Sequence, residues 1–367
     1  MEKSKHKMLN YINVFRALAI ILIVMGHSFL HIHNRLISKF VVEFFGNGTV
    51  LFVFIAGFLF QYLQSSFEYN TYLKKKLYNV ILPYIITSVV GITIYLCYPP
   101  INPFAGINTI LQIPMFLSTG VHNFPTWYII MTSFYFIMAY ILLKMEHTNI
   151  FNRSLLYSLL PFFLLLSVLI VRSGDVSGLY GIDAYIANVK MILQRTIHFL
   201  SVYILGMYCS ANRDKIDILY DKRKMLIIFY FIFATIDIFL GYKYGYSNIT
   251  ISKIIFTLIC LGYLKHYDQD IISNTKLNSI ADLIAKNSFG IFFIHGYLII
   301  GLHAILKFIL HLETKLTITN FSDLLYFIIV FILTMLITFS LSLFICCAIK
   351  KVLTKIGIKN TRMIIGA

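Results

Sequence analysis

Residues 11–30 read YINVFRALAIILIVMGHSFL, an apolar run that contains one arginine near its start and one histidine near its end. A helix needs ~20 apolar residues to cross the ~30 Å hydrocarbon core of a bilayer. This run has that length, exceeds the ~7–15-residue apolar core of a cleavable signal peptide, and lacks a small-residue cleavage site. It therefore predicts a retained first membrane span.

Comparable apolar runs recur along the 367 residues. They predict an all-α integral membrane fold of about ten transmembrane helices, with one transmembrane domain over 1–367 and no separate soluble domain. Prolines in the connection 97–127 indicate non-helical chain there. The predicted spans are 11–30, 41–62, 78–97, 126–143, 155–171, 193–209, 225–241, 250–264, 288–306 and 323–349.

The composition agrees with burial in lipid. Hydrophobic residues make up 59% of the chain and charged residues 13%, against ~45–50% and ~25% in soluble domains. The net charge is +16, but the basic residues lie between the apolar runs, which favours membrane orientation over nucleic-acid binding. The five cysteines show no ligand-like spacing, so we predict neither disulfides nor a metal site.

The basic residues are distributed unevenly between alternate connections. With the N-terminus in the cytoplasm, 21 of the 31 lysines and arginines fall in cytoplasmic segments and nine, including Lys253, in outer segments, while Arg16 lies inside the first span. Only an even number of spans satisfies the positive-inside rule with this distribution. The sequence therefore predicts a multi-pass protein with both termini cytoplasmic, most simply in the bacterial cytoplasmic membrane.

Two ionisable residues lie inside the first predicted span, where charge is costly and usually functional. Arg16 and His27 are eleven residues apart, so on a helix they are separated by ~16 Å along the axis and only ~20° around it. Each has a structural explanation alone, since Arg16 can snorkel to headgroups and His27 can be a hydrogen-bonded interfacial histidine. Together on one face, they favour a polar path through the bundle.

Five segments, in order, resemble the membrane acyltransferase-3 family, whose members are integral membrane O-acyltransferases of cell-surface glycans. The first is the Arg-x10-His spacing of Arg16 and His27. One departure is Ala56, which stands where the family commonly has serine. No esterase-like domain follows the last span, so the resemblance implies a chain that acts alone or with a separate acyl-accepting or glycan-assembly protein. The other segments are Leu51–Leu59, Lys74–Tyr84, Trp127-Tyr128 with Tyr135, and Ser288–His295.

The resemblance implies transfer of an acyl group, most simply acetyl, from cytoplasmic acyl-coenzyme A to a hydroxyl of an extracytoplasmic glycan or lipid-linked sugar. A neutral imidazole can take the proton of that hydroxyl, so we predict His27 as the general base or, less simply, the acylated nucleophile. Arg16 is expected to hold the donor. Lys74, Lys75 and Lys76 are expected to attract the donor phosphates, or to anchor the chain to anionic membrane lipid.

Trp127 is a further candidate for substrate binding, and four other residues carry open alternatives. His295, in the ninth predicted span, serves either the site or helix packing. His122, in the outer loop before Trp127, either meets the acceptor or is a loop histidine in water. Arg195 either binds an acidic acceptor or anchors its helix. Asp237, read as the one carboxylate deep in a span, either orients a histidine or pairs with an arginine.

The alternative function is a transporter or exporter of a polysaccharide or a lipid-linked precursor. Ten spans with an intramembrane arginine and histidine would also serve translocation. The two halves of the sequence show no inverted or parallel repeat, which many transporters possess. A scaffold without catalysis is a third alternative, and it leaves Arg16 and His27 unexplained.

Overall fold

The computed structural model has an all-helical architecture. Among the described residues, strand pairing is limited to His31–Ile32, which runs parallel to Lys315–Leu316. The structure describes residues 9–29, 31–46, 48–63, 69–147, 153–170, 178–244, 250–309, 311, 315–358 and 360–366.

Eighteen α-helices and one π-helical turn, Leu77–Ile81, follow one another within the described residues. Short 3₁₀ turns lie at Pro99–Ile101 and Arg213–Lys215. The helices are α1 Asn10–His27, α2 Arg35–Phe45, α3 Gly48–Leu63, α4 Tyr69–Lys76, α5 Leu82–Cys97, α6 Thr109–Thr119, α7 Trp127–His147, α8 Arg153–Ser158, α9 Leu160–Leu169, α10 Gly181–Ala211, α11 Asp217–Asp221, α12 Arg223–Tyr244, α13 Thr250–His266, α14 Asp268–Ser273, α15 Thr275–Lys286, α16 Ser288–Phe308, α17 Phe321–Lys355 and α18 Arg362–Ile365.

Seven helical segments of the described chain are long and apolar enough to cross a membrane. They are α1, α7, α12, α16, α17 and the combined segments α2–α3 and α4–α5. The prediction of an all-α, multi-pass membrane protein is thereby confirmed. The count of ten and the cytoplasmic termini stay predictions, because the other three predicted spans overlap helices outside this set, namely α8–α9, α10 and α13.

The described residues group into two compact units. We name them the His27 unit, within Lys7–Ile55 and Arg213–Lys359, and the Trp127 unit, within Ala56–Asn212 and Asn360–Gly366. The single transmembrane domain over 1–367 stays a prediction.

Helix α1 lies at the centre of the His27 unit. It packs against α13, α15, α16 and α17, while α2 packs against α12. Phe15, Ile20 and Ile291 are fully buried along these contacts. The ring of Phe29, just after α1, stacks on the ring of Phe331 near the start of α17, with 4.3 Å between centroids. The first third of α17 therefore lies against the end of α1.

Within the predicted span 41–62, helix α2 ends and α3 begins. This corner lies against the last turn of α1 without room for side chains. A Cβ added to Gly26 would lie 3.2 Å from Gly46 Cα, and one added to Gly48 would lie 2.5 Å from the backbone nitrogen of Ile23. Glycine permits such backbone contact. The junction of α2 and α3 at Gly46 and Gly48, here called the corner, therefore packs directly on the turn of α1 that carries His27.

The Trp127 unit is built around α10, which packs against α6, α7, α8 and α9. Gly57 of the Ala56-Gly57-Phe58 motif has a steric role in this unit. A Cβ on Gly57 would lie 2.0 Å from the carbonyl oxygen of Tyr203 on α10. Phe58 and Tyr203 are themselves buried, so the motif here sets a close helix–helix approach.

The prediction of non-helical chain over 97–127 is wrong for Thr109–Thr119, which forms helix α6 with Pro114 in its interior. The helix ends at Gly120, which adopts a left-handed conformation with φ 70°. Burial at three- and four-residue spacing stabilises it in spite of the hydrogen bond that proline removes. The buried positions are Gln112, Met115, Phe116 and Thr119.

Candidate functional site

Arg16 lies half-buried on α1 and is held at the junction of α15 and α16. Its Nη2 donates to the carbonyl oxygen of Ala285, 3.1 Å away, and to the hydroxyl of Ser288, 3.2 Å away. Ala285 belongs to the last turn of α15, where carbonyls lack partners within the helix and carry the negative end of its dipole. The guanidinium therefore has a fixed position.

Polar contacts extend from Arg16 toward the start of α1. Asn13 donates to a carboxylate oxygen of Asp282 at 3.1 Å, and Asn10 donates to Asp268 at 3.3 Å. Asp282 also pairs with Lys286 at 2.5 Å. The first half of α1 is thus bound to α14 and α15 through side-chain hydrogen bonds, which the sequence analysis had not predicted.

His27 lies at the C-terminal end of α1, where its ring meets that of His295. The ring centroids are 5.4 Å apart and the planes are inclined by 32°. His295 is fully buried, whereas His27 is half-buried. Nδ1 of His295 lies 3.0 Å from the carbonyl oxygen of Ile291. Because a carbonyl only accepts, Nδ1 is the donor of this hydrogen bond.

The two contacts define the relative direction of α1 and α16. Arg16 meets Ser288 at the start of α16, and His27, further along α1, meets His295 further along α16. The two helices therefore run parallel. In the predicted ten-span topology the first and ninth spans cross the membrane in the same direction, and the parallel course of α1 and α16 agrees with this. Both residues contact α16, which agrees with the prediction that they share one face of the first helix.

A buried ion pair in the same unit escaped the sequence analysis. Glu43, on α2, and Lys253, on α13, lie with Oε2 and Nζ 3.5 Å apart, and both side chains are almost fully buried. Ser252 donates to Oε1 of Glu43 at 2.7 Å. Lys253 also donates to the carbonyl oxygens of Val42, at 3.3 Å, and of Glu43.

Two earlier interpretations are corrected by this pair. Asp237 is not the one carboxylate deep in a span, because Glu43 is fully buried while Asp237 is half-buried on α12. Lys253 is not an ordinary cation of an outer segment, since it lies inside the fold. The available signal was a charge of each sign within predicted spans 41–62 and 250–264.

The three lysines expected to bind the donor lie at the end of α4 and have different surroundings. Lys74 and Lys75 are exposed. Lys76 is half-buried, with its ammonium 4.6 Å from the ring centroid of Phe136 and 5.4 Å from that of Tyr72. The π-helical turn Leu77–Ile81 follows directly, and such turns are frequent at functional sites.

Trp127 and Arg195 meet in the Trp127 unit. The Arg195 guanidinium lies 4.1 Å from the ring centroid of Trp127, within the range of a cation–π interaction. The other side of the contact is aromatic as well, since Trp127 stacks on Phe199 at 6.3 Å. Both Trp127 and Arg195 are half-buried, so part of each side chain remains accessible.

His122 is buried, which contradicts its reading as a loop histidine in water. Its Nδ1 donates to the carbonyl oxygen of Phe116 at 3.2 Å, and its ring lies 5.8 Å from that of Tyr84. Burial lowers the pKa of His122 to about 4, and the bond to Phe116 offsets this only in part. The ring is therefore neutral at physiological pH, with Nε2 as an acceptor that no described residue engages.

The structure thus brings Arg16, His27 and His295 together in one unit, and Trp127 and Arg195 together in the other. The catalytic and binding roles assigned to them stay predictions. A family model described as an acyltransferase domain matches residues 9–343. No curated protein and no solved structure matches the chain.

Proposed function

Because this chain belongs to the acyltransferase-domain family, as its motifs indicated, we propose that it is an integral membrane O-acyltransferase. In this proposal it moves an acyl group, most simply acetyl, from cytoplasmic acyl-coenzyme A to a hydroxyl of an extracytoplasmic cell-envelope glycan or lipid-linked sugar. The membrane is the bacterial cytoplasmic membrane, crossed ten times with both termini inside.

The observation that carries this proposal is the contact of α1 with α16 at two polar points. His27 meets a second imidazole, His295, and Arg16 meets Ser288 and the end of α15. A half-buried histidine beside a buried polar partner can bind a substrate hydroxyl and also keep a defined orientation. Burial of His295 behind it leaves His27 as the ring that substrate can reach.

In the proposed reaction, His27 accepts the proton of the acceptor hydroxyl as its oxygen attacks the thioester carbonyl carbon. The tetrahedral intermediate then collapses, the C–S bond breaks, and the departing thiolate takes the proton from the His27 imidazolium. An ester and a free thiol result, so no oxidant or metal is required. General base catalysis of this kind contributes ~10²–10⁴-fold. His295 orients His27 through ring contact.

Arg16 supplies a fixed cation that holds the donor phosphates. Because it lies ~16 Å from His27 along α1, it does not contact the thioester carbonyl that reacts beside His27. The hydrogen bonds to Ala285 and Ser288 both leave from Nη2. A guanidinium has five N–H donors in a rigid fork, so these bonds are compatible with further contacts to a ligand.

The Trp127 unit supplies the remaining expected contacts. Exposed Lys74 and Lys75 attract the donor phosphates. Trp127 and Arg195 together fit a sugar ring that carries negative charge, because sugars stack on aromatic faces and acids bind guanidinium. His122 is proposed to meet the acceptor through Nε2, the ring nitrogen that does not donate to Phe116.

Radiolabelled acetyl-coenzyme A, incubated with membranes that hold the protein and its glycan acceptor, tests the proposal. We expect label in hydroxyl esters with the wild type and with His33→Ala, a matched control at an exposed histidine. His27→Ala should accumulate normally and transfer ~10²–10⁴-fold more slowly. Transfer by His27→Ala within a few-fold of wild type would contradict the mechanism. Glycan translocation without esterification would favour the transporter.

A further inference from the structure

The ion pair of Glu43 and Lys253 has no role in the proposed transfer, yet it lies inside the unit that holds His27. Its burial is not explained by stability alone. Desolvation of two charges commonly offsets their attraction, so buried pairs contribute little over apolar residues of the same volume. Ionisable residues inside membrane segments are usually functional. The pair therefore requires a role in the action of the protein.

The contacts of Lys253 are concentrated on the end of α2. Its ammonium binds the carbonyls of Val42 and Glu43 together with the Glu43 side chain. The carbonyl of Val42 also accepts from the N–H of Gly46 at 2.9 Å, and a cation at the end of a helix interacts favourably with the helix dipole. Lys253 thus attaches the end of α2 to α13, and Ser252 reinforces the attachment through Oε1 of Glu43.

The end of α2 in turn determines the position of the last turn of α1. Three residues after Glu43, the backbone at Gly46 lies against Gly26, the residue before His27. Gly48 lies against the backbone of Ile23, one turn earlier. A continuous series of direct contacts therefore leads from Lys253 through the corner of α2 and α3 to the backbone that carries His27.

We propose that Glu43 and Lys253 are positioning residues for His27, which hold the corner of α2 and α3 so that the imidazole is correctly placed. This inference rests on the proposed function of His27. Its physical basis is the sensitivity of catalysis to geometry, since a misplacement of ~1 Å can lower a rate ~10²-fold.

The sharpest test is the double variant Glu43→Gln with Lys253→Met, which leaves no lone charge buried and roughly keeps both volumes. It removes the ammonium bonds to α2, so single-turnover transfer should fall by ~10²-fold while the donor dissociation constant stays within about twofold. The single variant Lys253→Arg keeps the charge and the hydrogen-bond donors, so it should retain most of the wild-type rate. Lys243→Met, at an exposed lysine of α12, is the matched control and should transfer normally.

A single-turnover rate equal to that of the wild type, measured for the folded double variant, would overturn the inference. Should that variant fail to accumulate, Ser252→Ala decides, because it removes one hydrogen bond to Glu43 and should slow transfer several-fold. A wild-type rate for Ser252→Ala would then overturn the inference as well.

A second measurement does not depend on activity. Carbethoxylation of His27 by diethyl pyrocarbonate, measured by mass spectrometry relative to exposed His33, reports the environment of the imidazole. We expect the ratio to change several-fold in the double variant and to stay constant in Lys243→Met. An unchanged ratio would contradict positioning. If the wild-type protein shows no acyl transfer while the modification ratio still changes in the double variant, the proposed function is contradicted and the positioning of His27 is not.

Discussion

The candidate site residues of the two units differ in their surroundings, although cation–π contacts also occur in the His27 unit, as between Lys265 and Tyr11. In the His27 unit, Arg16 and Lys253 donate directional hydrogen bonds to carbonyl, hydroxyl and carboxylate oxygens. In the Trp127 unit, Arg195, Lys76 and His122 lie against aromatic rings. Arg153 combines both modes, since it binds Glu146 and Gln61 and also lies over the ring of Phe60.

The difference concerns how precisely a charge is placed. Hydrogen bonds weaken steeply with angle, so they suit groups that must keep one geometry relative to reacting atoms. A cation over a ring is attracted across a broad face, which tolerates movement and suits ligands of varied shape. The surroundings of Arg16 thus suit its proposed role in the chemistry, and those of Arg195 suit its proposed role in binding charged and sugar-like groups.

The largest expected effect compares two identical substitutions. Arg16→Lys removes the planar fork, so it cannot keep both the bond to Ala285 and the bond to Ser288. Loss of one such bond to a charged group costs ~1.5–3 kcal/mol, so transfer should fall ~10–10²-fold. Arg195→Lys keeps a cation over Trp127, so it should change acceptor KM only ~2–5-fold. Steady-state kinetics in purified membranes measures both. Equal losses would remove the distinction between the two units.

A second prediction concerns the enclosed imidazole of the Trp127 unit. The folded pKa of His122, about 4, lies below its ordinary value of 6.5, so the unfolded chain binds the proton first as pH falls. The contribution of His122 to stability is therefore complete above pH ~6.5 and declines toward pH ~4, by roughly 2 kcal/mol between pH 7 and pH 5. Thermal unfolding in detergent should be less sensitive to acid in His122→Phe than in the wild type. Parallel curves for the two proteins would contradict this.

The smallest expected effect separates the three lysines of α4. Lys74→Gln with Lys75→Gln removes two exposed charges and should raise the donor KM about fivefold, as expected for exposed ion pairs. Raised salt should have a similar effect on the wild type. Lys76→Gln, whose ammonium packs on Phe136, should leave the donor KM nearly unchanged. An equal rise in the donor KM for Lys76→Gln would show that Lys76 contributes to donor binding in spite of its packing on Phe136.

Much of the His27 unit was predictable because it depends on local spacing. The apolar length of residues 11–30 predicted helix α1, and the eleven-residue separation of Arg16 and His27 placed both on the face that meets α16. The motif Ser288–His295 contained the partner of Arg16, Ser288, and the partner of His27, His295. Their pairing with α1 depends on tertiary contact, which no periodicity within α16 encodes.

Other features depended on contacts between distant segments and were missed. Glu43 and Lys253 are 210 residues apart, and each alone resembles an ordinary charge near the end of a span. Helix α6 was missed because Pro114 was given more weight than the buried positions spaced along it. The burial of His122 results from the packing of a compact turn against Phe116 and Tyr84.

The pairing of α1 with α16 also has a consequence for biosynthesis. Arg16 and Ala285 are separated by 269 residues. A ribosome that adds ~5–20 residues per second needs roughly 13–54 s to synthesise that interval. During this time α1 exists without the helices that hold Arg16 and His27. A product of premature termination before Ala285 therefore lacks the contacts of both Arg16 and His27, and the site forms only after His295 has been synthesised.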